Sequence, residues 1–219
     1  MAFFYICTMN IKLTDIGKRF HYEWIFKELN YSFEIGNYYG VVGSNGSGKS
    51  TLLQILSGYL SPSQGKVEFS LSDNVISNDY AYKCLSFAAP YIELIEEFTL
   101  KESIDFHWNF KKMKCSQEEL YNRLEFPKNA YNKAIKFFSS GMQQRLKLAL
   151  AICSDTSCLL LDEPTITLDK LALNWYHDLL NVFAYKPNRL TIIASNIEED
   201  YFGCNELLNI GDYKTARIK

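Results

Sequence analysis

The chain has 219 residues, 47% of them hydrophobic, enough for a real core and for one globular domain with a lobe inserted in it. A net charge of −2 argues against a broad nucleic-acid footprint, and no stretch reaches the ~18–20 apolar residues of a membrane span. The opening "MAFFYICTM" has neither a basic start nor a small-residue cleavage site, and the six cysteines contain no CxxC pair, so the chain reads as cytoplasmic, with reduced and mostly buried thiols.

In chain order, residues 1–8 are an edge extension or a by-product of start-site choice, and Met9 leads into "NIKLTDIGKRF", which alternates like a first strand. Apolar runs bounded by turn signals place strands near 11–15, 38–42, 66–70, 84–88, 158–161, 190–194 and 206–210. Helical patterns fall near 49–57, 101–112, 117–125, 142–153, 170–184 and 197–202, with Ser116 and Glu119 forming a capping box for the third. Strands alternating with helices imply an α/β domain with a largely parallel sheet. Residues 93–150 carry helices with no strand between them, which reads as a helical lobe inserted between core segments of about 9–92 and 151–219.

The strongest local signal is "YYGVVGSNGSGKSTLLQIL". An apolar strand ends at Val42. Gly43, Gly48, Lys49 and Ser50 then satisfy G-x-x-x-x-G-K-[ST], and a helix follows from Ser50 and Thr51. Gly43, Gly46 and Gly48 let the backbone curl until successive N–H groups converge on phosphate oxygens. Ser44, Asn45 and Ser47 fill the rest of the loop. Lys49 reaches the β- and γ-phosphates, and the Ser50 hydroxyl is a ligand for Mg²⁺.

A second signal, "SCLLLDEPTITLD", is a wholly apolar strand that delivers Asp162 and Glu163 to the C-terminal edge of the sheet. Neighbours on a strand point opposite ways, so Asp162 can serve the metal while Glu163 faces an attacking water as general base. A third, "FFSSGMQQRLKLAL", puts a Ser-Ser-Gly turn at the start of a periodic helix, where free N–H groups and the helix dipole favour an anion.

Together these residues resemble the ATPase subunit of ATP-binding cassette (ABC) transporters, over nearly the whole chain. "GSNGSGKST" matches the family's Walker A loop, "CLLLDEP" Walker B with its following glutamate, and "TLD", ending at Asp169, the D-loop; "FSSGMQQR" matches the signature usually written LSGGQxQR. The resemblance implies a P-loop (RecA-like) α/β fold: a mostly parallel sheet with helices on both faces, an antiparallel N-terminal β part and the inserted helical lobe. It implies ATP and Mg²⁺ as cofactors and a head-to-tail pairing. Ser139, Ser140, Gly141, Met142 and Gln143 of one cassette cap the ATP held by the other, and a two-fold dimer closes two such sites at once. It also implies an aromatic under adenine. Phe20 matches that position, with Tyr22 and Trp24 near enough to compete.

Two departures bear on rate. Pro90 stands where the family's Q-loop offers glutamine, and Asn196 replaces the switch histidine, so binding looks safer than fast hydrolysis. The resemblance implies a separate transmembrane permease chain, contacted through "AAPYIELIEEFTL". It further implies a second copy of this chain or a homologous cassette, no nucleic acid, and a place on the cytoplasmic face of a bacterial inner membrane. Two other readings stay open: a nucleotide-gated regulatory dimer with little turnover, and a soluble ABC ATPase outside transport. A GTPase is disfavoured, since no N-K-x-D motif follows the phosphate loop.

Overall fold

The computed structural model describes residues 8–72 and 74–214. The expectation for residues 1–7 lies outside this range. The chain divides into two compact units: one from the described parts of Met1–Phe87, Ser157–Glu163 and Lys186–Lys219, the other from Ala88–Thr156 and Pro164–Tyr185. The second thus takes in 88–92, 151–156 and 164–185 as well as the whole of the 93–150 segment expected from sequence.

The first unit opens with β1 (Met9–Phe20) and β2 (Glu23–Phe33), an antiparallel pair. Only the first appears in the sequence reading, and as a shorter strand. The buried residues of β2 are Phe26, Leu29 and Phe33; a bulge with positive φ at Glu28 slips the register and sets Phe26 and Leu29 three apart, while Leu29 and Phe33 keep an even spacing of four. Its pattern therefore mimics a helix and hides the strand's period of two. β3 (Tyr38–Val42) leads to α1 (Lys49–Leu56). β4 (Gln64–Leu71), β5 (Asn74–Ile76), the one-turn α2 (Asn78–Ala81) and β6 (Leu85–Ala88) follow. Four strands form one sheet in the order β2-β1-β4-β5, with every pairing antiparallel.

The second sheet has the order β6-β7-β8-β3-β9, with β7 (Cys158–Asp162), β8 (Leu190–Ala194) and β9 (Glu206–Asn209). β7 runs parallel to β8, and β3 runs parallel to both β8 and β9. Every residue of β7 and β8 is buried, as their unbroken apolar runs require. Ala194 lies opposite Asp162 on one side and Val41 on the other, so β3, β7 and β8 end level. The segments beginning at Gly43, Glu163 and Ser195 leave the sheet from one edge, where ligands of such sheets bind. The helix expected over 197–202 is a single 3₁₀ turn, Glu198–Tyr201; three successive acidic residues leave it no apolar stripe to extend along.

The second unit contains α3 (Leu100–Phe110), α4 (Gln117–Leu124), α5 (Ser140–Cys153) and α6 (Lys170–Leu179), the last continued by a π turn over Leu180–Ala184. The capping box expected at Ser116 is half made: Ser116 Oγ accepts the Glu119 N–H, with no return bond. The complete box belongs to α3, where Thr99 Oγ1 accepts the Glu102 N–H at 3.2 Å and Glu102 Oε2 accepts the Thr99 N–H at 2.8 Å. None of the five cysteines among the described residues is in a disulfide; Cys153 and Cys158 are buried and the other three half-buried. No described helix is long and apolar enough to cross a membrane.

Candidate active site

The loop after β3 takes its shape from glycine at two positions. Gly43 has φ +147, and a Cβ there would lie 2.7 Å from Ser47 Oγ. Gly48, with φ +106, packs against β2 so closely that a Cβ would lie 2.7 Å from Ile25 and 2.9 Å from Phe26. Gly48 is also the N-cap of α1, and no side chain caps that helix. The first N–H groups of α1 therefore face the loop's interior beside the positive end of the helix dipole. A Cβ at Gly46 would meet nothing within 4 Å, so the cradle is open on its outer side.

Lys49 is buried, and its ammonium folds back to donate to the carbonyls of Gly43 at 3.0 Å and Ser44 at 3.4 Å. It also lies 3.5 Å from Glu163 Oε1. The structure thus brings together the phosphate loop and the carboxylate strand, which are over a hundred residues apart in sequence. Asp162, at the end of β7, is 1% exposed. Glu163 turns the chain with φ +43, while its N–H donates to Ala194 O at 2.8 Å. That left-handed turn lets consecutive carboxylates serve different places. Ser195 is a site residue that sequence reasoning missed: its Oγ donates to Glu163 Oε2 at 3.2 Å. The available signal was a hydroxyl closing the otherwise apolar run "IIAS".

The residues present fit a magnesium-bound triphosphate. The uncapped helix start offers N–H donors and Lys49 a cation; Ser50 and Asp162 carry oxygens of the kind Mg²⁺ prefers and would be the residues to hold it. Among the described residues, no three His, Cys, Asp or Glu side chains gather as a metal cage. A magnesium ion held by one or two protein oxygens and by phosphates needs none.

Of the aromatic candidates, Phe20 is 46% exposed with Lys18 Nζ 5.2 Å from its ring, and Tyr22 is 98% exposed. The Trp24 ring has Lys27 Nζ 4.3 Å and the Arg19 guanidinium carbon 5.5 Å from its centre. Asn196 is exposed just beyond β8.

The remaining expected residues lie in the second unit. Ser139 is the N-cap of α5, and its Oγ accepts the Met142 N–H at 3.2 Å. Ser139 and Ser140 are exposed and Gly141 and Met142 partly so, while the Gln143 amide donates to Ile135 O at 3.3 Å. Asp169 is the N-cap of α6, accepting the Ala172 N–H at 2.8 Å. Pro90 is the second residue of an exposed turn closed by the Ile92 N–H on Ala89 O at 3.1 Å, a place that suits its fixed φ.

The family model described as ABC transporter matches residues 26–166. The chain is 32% identical over 216 residues to an uncharacterised ABC transporter ATP-binding protein, YybJ, of Bacillus subtilis, covering 94% of this chain and 95% of that one. The chain belongs to the ABC transporter family. It is an ATP-binding, ATP-hydrolysing subunit of that class. It is also 29% identical over 204 residues to the Nod factor export ATP-binding protein I of Bradyrhizobium diazoefficiens, covering 91% of this chain and 66% of that protein. Among solved structures, an ABC transporter ATP-binding protein from Pyrococcus furiosus superposes with a TM-score of 0.77 at 20% identity, covering 94% of this chain and all of that one. A dimeric bacterial ABC transporter cassette gives 0.76 at 23%, covering 92% and 95%. At those identities the likeness speaks for the fold alone.

Proposed function

We propose that this ABC ATPase holds Mg²⁺–ATP in the loop Gly43–Thr51, and that a second copy or a homologous cassette closes over it head to tail. The observation that carries the reading is the convergence of Lys49 and Glu163, 3.5 Å apart, beside the uncapped start of α1. Lys49 leaves its carbonyl and carboxylate partners for the β- and γ-phosphates. Ser50 and Asp162 would hold the Mg²⁺, which when bound would offset the negative charge on the phosphates. Glu163 takes the proton of the attacking water, and Phe20 stacks on adenine. From the partner copy, the N–H groups opening α5, with Ser139, Ser140, Gly141, Met142 and Gln143, cap the γ-phosphate, and Asp169 lies in the same interface.

The whole chain acts as one ATPase domain, a core of about 9–92 and 151–219 with the helical lobe of about 93–150 between. A separate permease chain docks near residues 88–100, which places the subunit at the cytoplasmic face of a membrane. Sedimentation tests this. Glu163→Gln with saturating Mg²⁺–ATP should form a lasting dimer, Lys49→Ala should bind nucleotide weakly, and Ser139→Arg should bind it as a monomer without pairing. A Glu163→Gln protein that stays monomeric with ATP, even with its membrane partner supplied, sinks the head-to-tail reading.

Turnover is slow. Asn196 can donate to a phosphate oxygen but carries no proton at neutral pH, and Pro90 offers no side-chain amide. Losing one oriented donor costs ~10²–10³ in rate, against a typical ~10 s⁻¹. Asn196→His should raise turnover, and Asn196→Ala should lower it while leaving ATP-driven pairing intact. Those same two residues favour the second reading, a nucleotide-gated regulatory dimer with little hydrolysis. An unchanged rate in Asn196→His argues for it.

A further inference from the structure

Ser195 follows the last residue of β8 and is completely buried. Its N–H donates to Val41 O at 3.2 Å, tying its backbone to the end of β3. Its Oγ accepts the Ile197 N–H at 3.0 Å. A hydroxyl has one proton to give, and with a lone pair already occupied by Ile197 the proton points to Glu163 Oε2, 3.2 Å away. Glu163 is joined to the end of β8 a second time, through its N–H on Ala194 O at 2.8 Å. The opposite oxygen, Oε1, faces the Lys49 ammonium at 3.5 Å.

The two carboxylate oxygens are thus held by different means. Lys49 is a flexible cation that a phosphate can draw away. Ser195 is a short side chain with no conformational slack, fixed by two further hydrogen bonds at a sheet edge. We propose that Ser195 is the positioning residue of the ATPase site: it holds Oε2, so that Oε1 stays aimed at the attacking water once Lys49 has moved to the nucleotide. This rests on Glu163 being the general base. In this role Ser195 acts through Glu163. A carboxylate free to swing about its last torsions meets its water in the productive geometry only part of the time, and small misplacements are costly.

The test compares purified full-length Ser195→Ala, Ser195→Thr, Glu163→Gln and the double variant Ser195→Ala/Glu163→Gln. Thermal melting and ATP binding are measured alongside turnover. Ser195→Ala should lower kcat about ten- to a hundredfold, the range for losing a hydrogen bond to a charged group, with KM for ATP unchanged. Ser195→Thr restores the hydroxyl and should recover most of the rate. Adding Ser195→Ala to Glu163→Gln should change residual turnover no further, because the group it positions is gone. Apart from activity, the ATP-bound dimer of Ser195→Ala should outlive the wild-type dimer in sedimentation. Wild-type kcat in Ser195→Ala overturns the proposal. So does an equal loss in the Ser195→Thr variant, or a further loss in the Glu163→Gln background. Normal turnover in Glu163→Gln overturns both readings, whereas an inactive Glu163→Gln beside a normal Ser195→Ala overturns only this one.

Discussion

Helix starts separate the two units. In the helical unit, each of the four α-helices is capped by its own side chain: Thr99 on α3, Ser116 on α4, Ser139 on α5 and Asp169 on α6. In the sheet unit, neither the one-turn α2 nor α1, which begins at Gly48, has a side-chain cap. A capped start is self-sufficient, and capping is worth ~1 kcal/mol to the helix. An uncapped start leaves N–H donors that only water or a ligand can satisfy. The first arrangement builds a scaffold, and the second, at α1, leaves donors for the phosphates in the site proposed above. α5 combines them: it is capped at Ser139, yet it carries the residues that match a family signature.

The largest break in that comparison is Gly48→Ala. A side chain at φ +106 is strained, typically by ~1–3 kcal/mol, and its Cβ would run into Ile25 and Phe26 of β2. The loop must shift, so ATP binding measured by calorimetry should fall by more than a hundredfold. The protein should still melt cooperatively, because the capped helices of the other unit are untouched. Next in size is Lys49→Ala, which removes a charged donor from the same uncapped start. Losing such a bond costs ~1.5–3 kcal/mol, roughly ten- to a hundredfold in nucleotide affinity. Without nucleotide, its melting temperature should change little, since the lysine's partners there are two loop carbonyls and one carboxylate.

What could be read from sequence divides along physical lines. The phosphate loop and the end of β7 were legible because their residue types are dictated by backbone shape and by charge: glycines at positive φ, a lysine, and carboxylates after an all-apolar strand. β2 was not, because the bulge at Glu28 puts an odd spacing of three between Phe26 and Leu29 and so breaks the period of two. The complete capping box at Thr99 went unread while a partial one at Ser116 was expected, since the two sequences differ little and only local geometry decides whether the glutamate returns. Ser195 could not be assigned from sequence, as its role depends on Glu163 arriving from a strand more than thirty residues away.

A pH effect of intermediate size should come from His107 in the helical unit. His107 on α3 is pulled down from its ordinary 6.5 to about 4, chiefly by burial and secondarily by the Lys111 charge. Its Nε2 pairs with Ser154 Oγ at 2.9 Å. Because the folded-state value lies below the unfolded one, the unfolded chain binds the extra proton first as pH falls. The stabilisation is complete above about 6.5 and is lost progressively toward 4. With burial incomplete, roughly 2 kcal/mol is expected across that window. Chemical denaturation at a series of pH values, with and without His107→Gln, measures it. An equal slope in the variant places the acid sensitivity elsewhere.

The smallest effect should separate the two roles of α5. Ser139→Ala removes the Oγ that accepts the Met142 N–H, so the helix start loses ~1 kcal/mol of stability and comes to resemble that of α1. If Ser139 served only as a cap, the freed N–H groups would be better placed for an incoming phosphate, and the ATP-bound dimer would last at least as long as the wild type. If its hydroxyl also meets the partner's nucleotide, the dimer should dissociate several-fold faster while ATP binding by the monomer stays the same. Ser139→Gly discriminates further, since glycine caps nearly as well as serine but brings no hydroxyl. We expect Ser139→Gly to match wild type in melting and Ser139→Ala in dimer lifetime. A Ser139→Gly dimer as durable as the wild type would reduce this residue to a helix cap and leave the backbone of α5 as the only anion-binding element of the signature.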